Sequence, residues 1–244
     1  MFVRTIWGFV LLLTVCMPIF AGTVDDYQTR AQRVEREYDL PAAVALMVEL
    51  QSCVIENPSD ESFMTLARVA LLVAELRRME YETTDADPRN KRLLGRTIDD
   101  AAKVGRDALE KAPNVSEKWR IQADLYGTMI RSKYKGNKYG GEMDKATERA
   151  RKMDPNNANA IVTGCKRLLF ATKGQGGDVP AALEMLNEAL AIDPNHERAL
   201  IFRGIAYDKL GKEELAEKDW KRTLELNPYS RLAKDNLQSI EEPY

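Results

Sequence analysis

Five prolines in this 244-residue chain stand at the end of the same kind of run. Ile55-Glu56-Asn57 precedes Pro58, Leu109-Glu110-Lys111-Ala112 precedes Pro113, and Arg151-Lys152-Met153-Asp154 precedes Pro155. Ala191-Ile192-Asp193 and Leu224-Glu225-Leu226-Asn227 lead in the same way to Pro194 and Pro228. A proline placed there ends a helix, because its ring cannot continue the hydrogen-bond ladder. The separations are 55, 42, 39 and 34 residues, shrinking toward the last value. Recurrence on that scale points to stacked supersecondary units, each too small to bury its apolar face alone.

The last period is the clearest. Leu200-x2-Arg203-Gly204-x2-Tyr207 is followed by Ala216-x3-Trp220-x2-Thr223-x4-Pro228. Gly204 and Ala216 are small where two helices of a hairpin must approach closely, and Tyr207 and Trp220 fill the space beside them. Between them Lys209-Leu210-Gly211-Lys212 is a tight turn, with Gly211 suited to a left-handed cap. This pattern resembles the tetratricopeptide repeat, departing from it at Arg203, where Leu is usual, and at Thr223, where Ala is usual.

Earlier periods repeat the spacing with longer connections between helix A and helix B. Ala160, Gly164 and Arg167 are followed by Ala182, Leu186 and Ala189; Trp119, Ala123 and Tyr126 by Met143, Thr147 and Ala150. Phe63, Ala67 and Ala70 are followed by Ala101, Gly105 and Ala108. Two helix starts are nearly identical, Asp39-Leu40-Pro41-Ala42-Ala43 and Asp178-Val179-Pro180-Ala181-Ala182, each with an acidic N-cap and a proline in the first turn. Residues 59–228 read as repeats, 25–58 as a degenerate N-terminal hairpin, and 229–244 as a C-terminal capping helix with Leu232, Leu237 and Ile240 on one side. The resemblance implies an all-α, right-handed solenoid of about five hairpins plus that cap.

Residues 1–21 read as a signal peptide. One positive charge at Arg4 precedes the apolar run Ile6–Phe20, and Ala21-Gly22-Thr23 supplies small residues for cleavage. The run is shorter than the ~20 residues that span a bilayer. The expectation is a secreted or periplasmic protein, not integral to the membrane once cleaved; an uncleaved N-terminal anchor and a lipidated Cys16 are the alternatives. Without Arg4 there remain 35 basic residues against 38 acidic, so overall charge recommends neither nucleic acid nor an anionic membrane as partner. Cys53 and Cys165 fall in distant units and are expected to be free, buried thiols.

Nothing in the sequence has the spacing of a catalytic, metal or cofactor site. GxSxG, HExxH and Walker patterns are missing, and two isolated thiols cannot make a zinc site. The one histidine, His196, reads as a solvated linker residue. Gly140-Gly141-Glu142 and Gly174-Gln175-Gly176-Gly177-Asp178 lack the Lys-Ser/Thr of a phosphate loop and read as wide turns ended by an acidic cap. Arg131, Lys133, Lys135 and Lys138 concentrate four positive charges with Tyr134 and Tyr139, within connections at about 77–95, 131–142 and 171–180 that would share one edge of the solenoid with Arg89-Asn90-Lys91-Arg92. An anionic ligand is a candidate partner for that rim, with nucleic acid ranked last; a solvated turn is the plainer reading.

Helix A lines the concave surface in the family this chain resembles. The register so implied makes Met64, Arg68 and Leu71, then Arg120, Asp124 and Thr128, then Ile161, Cys165 and Leu168, then Ile201, Ile205 and Asp208 the groove-facing candidates. The Lys/Asn/Arg set with which some members clamp a C-terminal carboxylate is not among them, and the stretch from Ile161 to Ile205 is apolar. Either that stretch faces a ligand or the C-terminal helix and superhelical closure bury it. The expected function is that of an exported, non-enzymatic adaptor holding a segment of a partner protein in its concave groove. Small-ligand binding or an accessory role in transport at the cell envelope is the alternative, which a large enclosed pocket would favour.

Overall fold

A computed structural model describes residues 23–83 and 87–241. The leader and Cys16 lie outside the described residues. Five helix pairs follow one another: α1 (Val24–Glu37) with α2 (Leu40–Glu56), α3 (Asp60–Thr83) with α4 (Pro88–Lys111), α5 (Ser116–Met129) with α6 (Lys133–Met153), α7 (Ala158–Phe170) with α8 (Val179–Ile192), and α9 (Glu197–Lys209) with α10 (Glu213–Leu226). A last helix, α11 (Arg231–Glu241), completes the array, and no strand occurs among the described residues. The described residues are all-α, as the resemblance implied.

Local chemistry sets the boundaries. Asp39 and Asp178 cap α2 and α8, accepting from the backbone N–H of Ala42 (3.0 Å) and Ala181 (3.1 Å). Asn157 does the same for α7 through Ala160 at 3.0 Å. Gly211 turns the chain between α9 and α10 with φ of 70°, a conformation only glycine adopts cheaply. Gly204 is required for a different reason: a Cβ there would lie 2.3 Å from Trp220 Nε1. Trp220 is fully buried in that space, and its indole donates to Ile201 O at 3.0 Å. α11 covers this end with Ala233 buried and Leu237 packed against the Trp220 cluster.

Two of the expected long connections are mostly helix. α3 and α4 run to Thr83 and from Pro88, which absorbs most of the 77–95 segment. Gly140 and Gly141 lie inside α6, without positive φ, rather than in a wide turn. The cause is an earlier start: Ser132 accepts from Lys135 N–H at 3.3 Å, and the helix then runs through both glycines to the buried Met143. Tyr139, stacked on Tyr126 at 6.0 Å between centroids, anchors the intervening turn. The 171–180 segment does turn, through a short 3-10 stretch at Lys173–Gln175 and Gly176 at φ 91°.

The array curves until its ends meet. Glu75 on α3 and Arg198 on α9 are in direct contact at 3.0 Å although two helix pairs separate them in sequence. Farther out, Tyr38, just beyond α1, donates to Glu197 Oε1 at 2.9 Å, and Asn227 after α10 donates to Glu197 (3.0 Å) and to Arg36 O (3.3 Å). Only convergence of the odd-numbered helices on one concave side brings these residues together.

Candidate concave binding site

Asp124, on α5, is the centre of the concave side. Its side chain is fully buried, yet four donors from three helices reach it: Arg120 at 3.0 Å, Lys166 at 2.7 Å, Thr163 at 3.1 Å and Arg198 at 3.3 Å. Burial alone would raise this carboxyl, but Lys166, Arg198 and Arg120 outweigh that and hold it well below the usual carboxylate range. Glu75 takes the other side of Lys166 (3.5 Å) and Arg198 (3.0 Å), and Glu117 accepts from Arg120. Four helices are thereby joined by charges that satisfy one another.

The mouth between α1 and α3 is different. Glu35 on α1 faces the field of Arg198, Glu75, Arg120 and Arg68, but it makes neither a hydrogen bond nor an ion pair within 4 Å among the described residues. It remains exposed by area, and still its pKa is raised, chiefly by desolvation. Both are consistent with a group inside a concavity, reached by water but flanked by protein. Arg68 on α3 is also exposed, with its nearest acid, Glu117, at 3.8 Å. Beside these two lies a cavity of about 60 Å³ lined also by Gln28, Gln32, Thr65 and Leu72. The larger hollow, about 710 Å³ between α6, α7 and α8, is an open cleft over Met143, Thr147, Leu168 and Met185. Its charges are paired: Arg167 with Asp144, Arg151 with Glu188 at 3.2 Å, Lys152 with Glu148 at 2.6 Å.

The residues expected in the groove are therefore scattered. Arg120 and Asp124 are in it but locked together, and Arg68 stands at its mouth. Ile161, Cys165 and Ile201 are in the core, as are Met64, Leu71 and Thr128; Leu168 lines the open cleft, Ile205 packs toward Trp220, and Asp208 is exposed. Of the apolar stretch, Ile161, Cys165 and Ile201 are thus interior, while Leu168 and Ile205 stay half-buried. Sequence reading missed Glu35, Glu75, Lys166 and Arg198. A signal for Lys166 existed, since it and Asp124 each lie eight residues beyond the first residue of their helix.

Two other expectations change. His196 is not a bare linker residue: Nδ1 accepts from Ala199 N–H at 3.2 Å, capping α9, and Nε2 meets Asn159 Oδ1 at 3.1 Å. Its desolvation, reinforced by Arg198, lowers its pKa. The basic segment does approach the Arg89–Arg92 cluster, since Lys91 and Arg131 both lie over the Tyr81 ring, at 5.9 and 5.7 Å. But Arg131 and Lys135 are bound to Asp99 at 2.9 and 2.7 Å, and Arg131 also donates to Gly95 O. Only Lys133 and Lys138 stay exposed, with Lys138 lying 5.0 Å from the Tyr139 ring. Cys53 and Cys165 are free and buried, as expected.

No protein-family model matches the chain. A stretch of 56 residues is 38% identical to the meiotically up-regulated gene 93 protein of Schizosaccharomyces pombe, covering 23% of this chain and 15% of that protein. Another of 57 residues is 40% identical to the human peptidyl-prolyl cis-trans isomerase FKBP4, covering 23% and 12%. The chain thus aligns with under a sixth of either relative's length. Among solved structures, a thermophilic TPR protein of Thermus thermophilus superposes with a TM-score of 0.58 at 16% identity, over 87% of this chain and 97% of that one. With the helix pairs, the Gly204–Trp220 contact and the proline-ended units already described, this similarity identifies the fold of the chain as that of the tetratricopeptide-repeat proteins.

Proposed function

We propose that this protein is an exported, non-catalytic interaction scaffold, which holds an extended segment of a partner protein at the mouth between α1 and α3. One observation carries the reading. Deeper charges on the concave side are spent on each other, whereas Glu35 has no partner within 4 Å among the described residues and Arg68 has an ion pair of 3.8 Å to Glu117, both beside a small cavity. A polypeptide backbone offers both N–H and C=O groups, and the amide of Gln32 beside the cavity suits both, whereas Gln28 already donates to Glu61. The open form of the larger cleft favours a protein segment over an enclosed small ligand. The side chains that most often perform catalysis are committed elsewhere: His196 caps a helix, and burial pushes the Cys165 thiol up to about 12. Export rests on the leader-like residues 1–21.

Photo-cross-linking in the native host tests this. A photoreactive residue in place of Gln32 or Arg68 should capture a discrete partner, and one in place of the outward-facing Lys103 should not. Equal capture at both, or capture at Lys103 alone, would refute the concave mouth as the contact.

A further inference from the structure

The charge of the chain is nearly balanced overall, but its distribution is not. Residues 88–98, where α4 begins, carry Arg89, Lys91, Arg92 and Arg96 and no acid. Residues 131–141, where α6 begins, carry Arg131, Lys133, Lys135 and Lys138, again without an acid. The two stretches lie side by side. Lys91 and Arg131 share the Tyr81 ring, and Asp99, just past the first stretch, holds Arg131 at 2.9 Å and Lys135 at 2.7 Å. Asp99 is thereby spent. Arg89, Arg92, Arg96, Lys133 and Lys138 stay exposed, with no ion pair within 4 Å among the described residues. The corresponding connections of the other helix pairs all contain acids: Glu37 with Asp39, Asp178, and Glu213 with Glu214.

Helix stability does not account for this placement. A helix N-terminus carries partial positive charge and favours acids in its first turn. α1, α3, α5, α9 and α10 follow that rule. α4 and α6 open instead on Arg89 with Lys91 and on Lys133 with Lys135, which adds the charges to the helix ends rather than cancelling them. Two apolar side chains stand among the same cations. Leu93, next to Arg92, keeps 60% of its surface in water, and Tyr134, between Lys133 and Lys135, keeps 75%.

An apolar or aromatic side chain flanked by cations suits a lipid interface, where it enters among the headgroups while its neighbours pair with their phosphates. Neither of the hollows described above opens at this edge. Its charges are spread over two helix starts, which fits an extended anionic surface better than a small anion or an inserted segment of chain. A leader at residues 1–21 would bring the chain to such a surface. We propose that the edge formed by the starts of α4 and α6 docks on a bilayer containing anionic lipid, with Leu93 and Tyr134 entering the interface and the exposed cations facing the headgroups. The contact is peripheral, and it does not rest on the mouth between α1 and α3 being the partner site.

Co-sedimentation with vesicles tests this, using the chain from Thr23 on, which keeps every helix described above and cannot enter a bilayer through the leader. Vesicles of phosphatidylcholine with about 30% phosphatidylglycerol should bind it at about 0.1 M salt, and about 0.5 M salt should release most of it. Vesicles of phosphatidylcholine alone should not bind. Arg92→Ser with Lys133→Ser and Lys138→Ser should weaken binding by about 100-fold, since each cation near an anionic bilayer contributes about a factor of five. Lys173→Ser with Lys212→Ser and Lys218→Ser changes net charge equally elsewhere, and should stay within about threefold of wild type. Leu93→Ser with Tyr134→Ser should weaken binding by about 10-fold or more while the salt dependence stays steep. All these side chains are exposed, so circular dichroism should be unchanged, and the cation and apolar variants check one another. No binding to the anionic vesicles, equal binding to neutral ones, an edge variant that binds like wild type, or a control that falls as far would each overturn the proposal. Binding to polyglutamate but not to vesicles would overturn it too, and would assign the edge to an acidic protein.

Discussion

Asp124 accepts from four donors, and that number determines what its loss would do. A buried ion-pair cluster adds little net stability over apolar packing, but deleting one member strands the rest. Asp124→Ala would leave Arg120, Lys166 and Arg198 facing one another, and should cost about 3–5 kcal/mol in a denaturant titration. Because the Asp124 carboxyl is depressed below its ordinary 3.8, the stability it confers is complete above that pH and declines as pH falls below it. Glu35 has the opposite sign. Its pKa is raised above 4.5, so its charge penalises the fold at neutral pH, and the penalty lifts as pH falls through the raised value. Glu35→Gln should therefore melt higher than wild type at pH 7, with the two curves meeting near pH 4.5. A lower melting point at pH 7 would mean that the carboxylate has a partner in solution. An ionised side chain kept at a stability cost is the pattern of a contact site rather than a structural one. Neither residue's role was fully legible in the sequence. Asp124 was found by register, but Glu35 sits in the degenerate first unit, where no repeat residue marks the inner face.

At the scale of elements, the sequence was most legible where a residue must be small or must cap. Gly204, Gly211, Asp39 and Asp178 each do what their positions implied. Arg203 departs from the repeat pattern, and the structure supplies the compensation: Asp219 on α10 accepts from it twice, at 2.7 and 2.8 Å. The misreading of α6 has an equally local cause. Glycine pairs usually signal turns, but here the Ser132 cap and the buried Met143 bracket them, and tertiary anchoring overrides propensity. That makes a test. A Cβ at Gly140 or Gly141 would meet nothing within 4 Å, so each change to alanine should stabilise by about 0.5–1 kcal/mol. Destabilisation instead would show that the segment is a turn after all. The basic segment belongs to this scale too, because Arg131 and Lys135 fasten α6 to α4 through Asp99. Lys133→Ser with Lys138→Ser should leave the melting temperature within about a degree of wild type, as exposed charges contribute little. Asp99→Ala should lower it, by stranding the nearly buried Arg131.

The whole molecule is a solenoid whose first and last units touch, which repeat spacing alone could not reveal. Spacing defines each unit and its neighbour, whereas closure depends on a small rotation accumulated over five units. In an open array, stability is a sum of nearest-neighbour terms and the terminal units fray first. Here Glu197 ties α9 both to Tyr38 beyond α1 and to Asn227 beyond α10, and Asn227 reaches Arg36 O. Desolvation, followed by the charge of Glu197, raises the Tyr38 hydroxyl above its ordinary range, so it stays protonated as a donor throughout the physiological range. Arg36, whose carbonyl Asn227 reaches, is the chain neighbour of Glu35, so these contacts lie next to the mouth. Glu197→Ala removes the shared acceptor without touching the core of α9, and hydrogen bonds to a charged group are worth about 1.5–3 kcal/mol. Amide hydrogen exchange should then show α1 and α2 losing protection while α5 to α8 keep theirs, and small-angle scattering should report a larger radius of gyration. Unchanged protection in the first pair would mean that its packing on α3 suffices and that the contacts with Glu197 follow from closure instead of holding it.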